Sequence, residues 1–166
     1  MRCFLALFPD AASRERLLAI AARLPAALRR VPEEDLHLTL VFLGEVSLSR
    51  VDVLRDALAG VSFAGVSGHG IGWRWLPEVR RARVGAVEIA SDGAVEALAS
   101  TVRARLALGP GRRFLPHVSL VRVRGAVRPL RPDCATGVLC FDRLGLYASE
   151  PRPQGPGYRP LSELHG

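Results

Sequence analysis

Two of the chain's four histidines stand in matching company. His37-Leu38-Thr39-Leu40 and His117-Val118-Ser119-Leu120 share one pattern, histidine, apolar, hydroxyl, leucine, 80 residues apart. With this composition, two such matches among four histidines arise by chance on the order of a few times per thousand sequences, so the repeat carries information. Side chains alternate faces along a strand, which sends His37 and Thr39 one way and Leu38 and Leu40 the other, and the second copy likewise. Each copy then presents an imidazole beside a hydroxyl on an apolar backing. Across a cleft, two such copies suit displacement at phosphorus. One imidazole takes a proton from the attacking oxygen while the other gives one to the oxygen departing in line. Histidine can fill either role near neutral pH. Thr39 and Ser119 would donate to the non-bridging oxygens, arginine would offset their charge, and no metal or cofactor is called for.

Other uses of these residues fit less well. A single strand histidine is ordinarily half-buried with its hydrogen bonds met, but that does not account for two copies in one setting. Asp35 with the two histidines is a poor ligand set for zinc. Glu33, Glu34 and Asp35 have no second acidic cluster to pair with, so acid/base work by carboxylates is disfavoured.

Composition narrows the chemistry further. All 23 basic residues are arginine. Without lysine there is no Schiff base, Walker A clamp or adenylated-lysine ligation. Without asparagine there is no Cys-His-Asn triad and no kinase catalytic loop as usually written. The net charge of +7, carried by guanidinium groups, favours a polyanionic partner, although a GC-rich genome would also produce an arginine-rich, lysine-free chain. Cys3, Cys134 and Cys140 include no CxxC pair, which fits a reduced, cytoplasmic protein. The apolar run from Cys3 to Phe8 stops at Pro9-Asp10, short of a signal peptide, and no stretch nears 18 apolar residues, so no membrane partner is expected.

The elements that must position the histidines follow from pattern. Arg2–Phe8 reads as a buried strand, and Asp10 caps a helix to about Leu24. Pro25 and Pro32 bracket a connector with an extended piece at Leu28–Val31. Leu36–Leu43 is the clearest strand, closed by Gly44. Ser49 with Asp52 starts a helix to Ala59, which Gly60 ends. Ser62–Trp75 is extended and Arg83–Ala90 a strand, and Asp92 opens a helix to about Leu108, before Gly109-Pro110-Gly111. Phe114–Arg124 is extended, Gly137–Phe141 and Arg143–Ser149 form a final strand pair, and a Pro/Gly-rich loop leads to a short extended end at Tyr158–Leu161. Several strands adjoin through turns too short for a crossover, so the fold class is α+β with antiparallel sheets, and 166 residues predict one domain.

Val31-Pro-Glu-Glu-Asp-Leu-His-Leu-Thr-Leu-Val-Phe-Leu-Gly44, Phe114-Leu-Pro-His-Val-Ser-Leu-Val-Arg122 and Leu146-Tyr-Ala-Ser149 with Gly157-Tyr158 resemble the bacterial and archaeal RNA 2′,3′-cyclic phosphodiesterases. These are also called 2′-5′ RNA ligases, within the two-histidine phosphoesterases. The resemblance runs from the first strand to Leu161. It implies a bilobal α+β domain over 1–166, two pseudo-symmetric lobes with helices outside, and a cleft lined by both motifs. It also implies metal-independent opening of RNA-terminal 2′,3′-cyclic phosphate to a 2′-phosphomonoester, as in tRNA processing, with reversible 2′-5′ ligation as a further capacity. His37 and His117 take the catalytic positions, Thr39 and Ser119 the phosphate-binding ones, and serine replaces the commoner threonine in the second motif. Phe42 and Arg122, each five residues beyond its histidine, match positions near the base and the phosphate. Strict alternation would put both on the wrong face, so a bulge or strand end is required. The resemblance further implies that His37 protonates the departing 3′ oxygen and His117 activates water.

The expected partners are RNA with 2′,3′-cyclic phosphate ends or cyclic nucleotides, bound by a monomer. A relative acting on a small cyclic phosphate, such as ADP-ribose cyclic phosphate, is the alternative within the superfamily. A noncatalytic RNA-binding module is the alternative outside it, disfavoured because binding alone needs neither pair of groups. Gly68-His69-Gly70-Ile71-Gly72 lacks phosphate-loop spacing and reads as a strand edge. Trp73 and Trp75 read as core before base-stacking groups, Arg80, Arg81 and Arg83 as a solvated cluster before an RNA track, and His165 as inert.

Overall fold

The first strand, β1 (Arg2–Pro9), is apolar from Cys3 onward because both of its faces are covered there. Cys3, Leu5 and Leu7 enter the main core, while Phe4, Ala6 and Phe8 join Tyr147 in a separate aromatic cluster. The computed structural model describes residues 1–109, 111, 114–153 and 155–166. After β1 come α1 (Ala11–Ala22), β2 (Arg29–Arg30), β3 (Leu38–Glu45), α2 (Leu48–Ala59), β4 (Val66–Leu76) and β5 (Ala82–Ala90). Then follow α3 (Ala94–Arg105), β6 (His117–Gly125), β7 (Val138–Arg152) and β8 (Gly155–His165). Every strand pairing is antiparallel.

The pairings divide into two four-stranded sheets, β3-β1-β7-β8 and β4-β5-β6-β2. They are sewn together at two places. Leu38 of β3 pairs with Val118 of β6, and Val66–His69 of β4 pairs with Val138–Phe141 of β7. The strand–helix–strand units β1-α1-β3 and β5-α3-β6 occupy equivalent places, one per lobe. Each helix packs on its own sheet and reaches one strand of the other: α1 lies on β7 and β1 and meets β6, and α3 lies on β4 and meets β3. This is the α+β, antiparallel, two-lobed arrangement expected from the sequence. Among the described residues no helix is long and apolar enough to cross a membrane.

Several boundaries differ from the sequence reading, each for a local reason. The cap of α2 is Ser47, not Ser49: Ser47 has extended backbone angles and its hydroxyl accepts from the Arg50 N–H at 3.3 Å. Asp92 does not cap α3. The left-handed Gly93 holds that position, and the Ser91 hydroxyl accepts from the Val95 N–H at 3.0 Å. The helix then ends at Arg105, and Pro110 of the expected break lies outside the described residues.

The last third departs most. The expected strand pair at 137–149 is one strand, β7, which passes from β4 in one sheet to β1 and β8 in the other. The expected proline-rich loop between Ser149 and Tyr158 is the end of β7 and the start of β8, and the short extended end at Tyr158–Leu161 is part of that eleven-residue strand. Pro156 and Pro160 are tolerated there because β8 is an edge strand, with one side free of ladder bonds.

Gly68 and Gly70 serve close packing within β4. A Cβ on Gly70 would run into the Cys134 carbonyl oxygen, and one on Gly68 would lie 2.7 Å from that of Ala90. Trp75 is buried in the core, as expected, and the partly buried Trp73 packs against it edge to face at 5.4 Å. Arg81 pairs with Glu78 on the surface.

Candidate active site

His37, Thr39, Phe42, His117, Ser119 and Arg122, the six residues singled out in the sequence, all line one cleft of about 470 Å³ where β3 meets β6. Their convergence depends on two bulges. In β3, Leu5 faces Val41 but Ala6 faces Thr39, so Leu40 has no partner. In β6, Gly85 faces Val121 but Ala86 faces Ser119, so Leu120 has none. Both residues of each bulge are buried: Leu40 and Val41, then Leu120 and Val121. One extra residue restores the parity of the strand, and Phe42 and Arg122 return to the face that carries the histidines. Phe42 accordingly sits opposite Phe4, and Arg122 opposite Val84, both on the cleft. The bulge occupies the same motif position in each lobe.

Both imidazoles are fixed in the same way. Nδ1 of His37 lies 2.7 Å from the Asp35 carbonyl oxygen, and Nδ1 of His117 lies 2.7 Å from that of Leu115. A carbonyl only accepts, so Nδ1 carries the proton in each ring. Nε2 is left as the nitrogen available to the cleft, basic when the ring is neutral and acidic when it is charged. The two groups are thereby preset for proton transfer in either direction. Thr39 and Ser119 stand two residues on, beside their histidines, and Arg122 supplies fixed positive charge.

The surroundings are less symmetric than the motifs. His37 is boxed by aromatic rings: Phe4 at 5.1 Å, Phe8 at 5.4 Å and Tyr158 edge-on at 4.8 Å between centroids. Burial among them pulls its pKa down to about 4, with the Arg122 and His117 charges adding and the bond to the Asp35 carbonyl opposing. No ring stands against His117 in this way among the described residues. Behind the box, Arg143 lies 5.0 Å over Phe8, and the Tyr147 hydroxyl donates to Glu163 at 2.6 Å. Asp35 is buried at the cleft, and desolvation raises its carboxyl pKa against the pull of Arg152 and Arg122. Among the described residues no three His, Cys, Asp or Glu side chains gather as a metal-ligand set.

The pattern of the LigT-like phosphoesterases matches residues 7–68, which span the first motif. An RNA 2′,3′-cyclic phosphodiesterase of Archaeoglobus fulgidus is 30% identical across 97% of this chain and 98% of its own length. The chain belongs to the LigT-like phosphoesterases. Solved structures share the whole fold. A protein of Thermus thermophilus superposes with a TM-score of 0.80 at 30% identity, over 99% of this chain and 97% of that one. Escherichia coli LigT complexed with 3′-AMP does so with a TM-score of 0.77 at 28% identity, over 99% and 96%.

Within this LigT-like cleft, the sequence reading missed the residues that shape the surroundings of His37. Phe4 and Phe8 passed as ordinary core, since an apolar run does not tell which of two buried faces adjoins a site. Tyr158 also lines the cleft, where its hydroxyl accepts from Arg122 Nη2 at 2.8 Å. In the sequence it stands within the family resemblance and at the start of the short extended end, but the prolines and glycines before it read as loop and no role attaches to it.

Proposed function

We propose that this phosphoesterase opens RNA-terminal 2′,3′-cyclic phosphates to 2′-phosphomonoesters with His37 and His117 as its proton-transfer pair. The observation that carries the proposal is the matched locking of both imidazoles, each with Nδ1 held by a carbonyl and Nε2 left to one shared cleft. The names of its relatives support the same substrate class.

In the proposed reaction His117 Nε2 takes a proton from water as the water oxygen bonds to phosphorus. The bond from phosphorus to the ribose 3′ oxygen breaks in line, and that oxygen receives a proton from His37 Nε2. The products are a 2′-phosphomonoester and a free 3′ hydroxyl, and the two rings have exchanged charge states, which solvent then restores. Thr39 and Ser119 donate to the non-bridging oxygens, Arg122 offsets their charge, and Phe42, 78% exposed at the cleft, offers a face to the base. Side chains fill every role, so the reaction needs neither metal nor cofactor.

The depressed pKa of His37 favours a second assignment. A ring that is neutral in the free protein is a ready base, and the acid role requires the anionic phosphate to bring a proton in with it. With His37 as base the substrate lies reversed and a 3′-phosphate results. Incubation with 2′,3′-cyclic AMP and with a cyclic-phosphate-ended oligonucleotide, and chromatography against authentic monophosphates, tests both layers. The 2′ isomer is expected; the 3′ isomer reverses the roles of the histidines, and no product refutes the proposed activity.

A further inference from the structure

Tyr158 stands where the two sheets face each other across the cleft. It belongs to β8, at the edge of the sheet that holds His37, and its phenol oxygen accepts a hydrogen bond from Arg122 Nη2 on β6 of the other sheet at 2.8 Å. The same ring meets His37 edge-on at 4.8 Å and Phe4 at 4.9 Å. One side chain thus touches both the positive charge and a proton-transfer ring.

We infer that Tyr158 is a positioning residue that aims the Arg122 guanidinium at the reacting phosphate while it covers one edge of His37. The inference rests on the proposed function, since it needs a phosphate in this cleft. An arginine is usually oriented by a carboxylate, which would here neutralise the charge that the phosphate needs. Among the described residues no carboxylate lies within ion-pair range of Arg122. A phenol orients the guanidinium through one of its five N–H groups and leaves four donors and the full charge for the anion. It also spares the bound phosphate the cost of ordering a long, free side chain. The bond joins β6 to β8, so the phosphate clamp of one lobe is set by the other lobe, and the cleft is complete only when the two are in register.

The test uses Tyr158→Phe, Arg122→Ala and the double variant, with turnover of 2′,3′-cyclic AMP and binding of 2′-AMP as readouts. Tyr158→Phe keeps the ring against His37 and Phe4, so thermal unfolding and the NMR titration of the His37 ring should match the parent. Turnover efficiency and 2′-AMP affinity should each fall by roughly tenfold, the size expected for one lost hydrogen bond to a charged group. In the Arg122→Ala background the same change should have no effect, since there is nothing left to aim. An equal loss in both backgrounds, or none in either, would overturn the inference. Tyr158→Ala, which uncovers His37, should in addition raise that ring's pKa. If this variant fails to fold, the phenylalanine cycle decides alone. Should the parent bind 2′-AMP but not open the cyclic ester, the proposed activity falls, and the binding cycle still decides the role of Tyr158.

Discussion

His37 ties the pH dependence of stability to the aromatic box. Its pKa is held at about 4 by burial among Phe4, Phe8 and Tyr158, against about 6.5 in the unfolded chain. Between those values the unfolded state carries a proton on this residue that the native state refuses, so stability rises with pH through the window. The full contribution is present above pH 6.5 and is lost as the pH falls to about 4, where the cost is about 3 kcal/mol. That is a large share of the roughly 5–15 kcal/mol typical of a domain. His37→Gln preserves an amide that can donate to the Asp35 carbonyl and removes the titration. Urea unfolding, followed by the fluorescence of the core residues Trp73 and Trp75, should be run from pH 7.5 to 4 in a buffer free of phosphate. Both proteins will lose stability as carboxylates titrate, but the parent should lose about 3 kcal/mol more than the variant. Inorganic phosphate should narrow the gap, because an anion in the cleft favours the charged ring. Parallel curves for the two proteins would refute the claim that the box excludes charge from His37.

Four other outcomes are expected. His37→Ala and His117→Ala should each lower turnover by about 10² to 10⁴-fold with the fold intact, and the double variant should be little worse than the poorer single one, as kinetics with 2′,3′-cyclic AMP will measure. Turnover should persist undiminished in excess EDTA, and loss with recovery on adding one divalent ion would end the metal-free proposal. Oligonucleotide affinity should fall steeply with salt while that of a cyclic mononucleotide changes little, since only a chain of phosphates displaces several counterions from an arginine surface; equal shallow slopes would favour a small cyclic phosphate as the substrate. Gly70→Ala should lower stability by about 1–3 kcal/mol in thermal unfolding, because its Cβ would meet the Cys134 carbonyl, while the KM for 2′,3′-cyclic AMP stays unchanged.

Legibility in the sequence was uneven, and it followed the range of the interactions involved. Local pattern was enough for β1, β3, α1 and the two histidine motifs, because alternation and the Asp10 cap act within a few residues. The cleft face of His37 and Thr39 was readable for the same reason. The bulges could be required, through Phe42 and Arg122, but not located, since an unpaired Leu40 or Leu120 is defined by the partner strand. Least readable was β8. Pro156 and Pro160 break most strands, and only the position of this one at a sheet edge makes them harmless. With only Tyr158–Leu161 read as extended and no partner strand assigned to it, Tyr158 could not be set against Arg122.

The two motifs are nearly interchangeable in sequence, and the backbone treats them alike: the same carbonyl lock on Nδ1 and the same bulge three residues on. A symmetric pair alone gives no direction to an in-line displacement, because either ring could be acid or base. Direction has to come from neighbours that belong to neither motif. On one side these are Phe4 and Phe8 from β1 with Tyr158 from β8, which pack around the His37 ring and lower its contact with water. On the other is Arg122, whose charge discourages a second positive charge on His37 until an anion arrives. In the proposed reaction the cyclic phosphate supplies that anion and offsets part of the penalty on protonation. Under this proposal the proton on His37 and the substrate are linked, because burial favours the neutral ring in the free protein. In the proposed mechanism the near-symmetric repeat provides the reactive groups, and the asymmetric aromatic wall favours the neutral form of one of them.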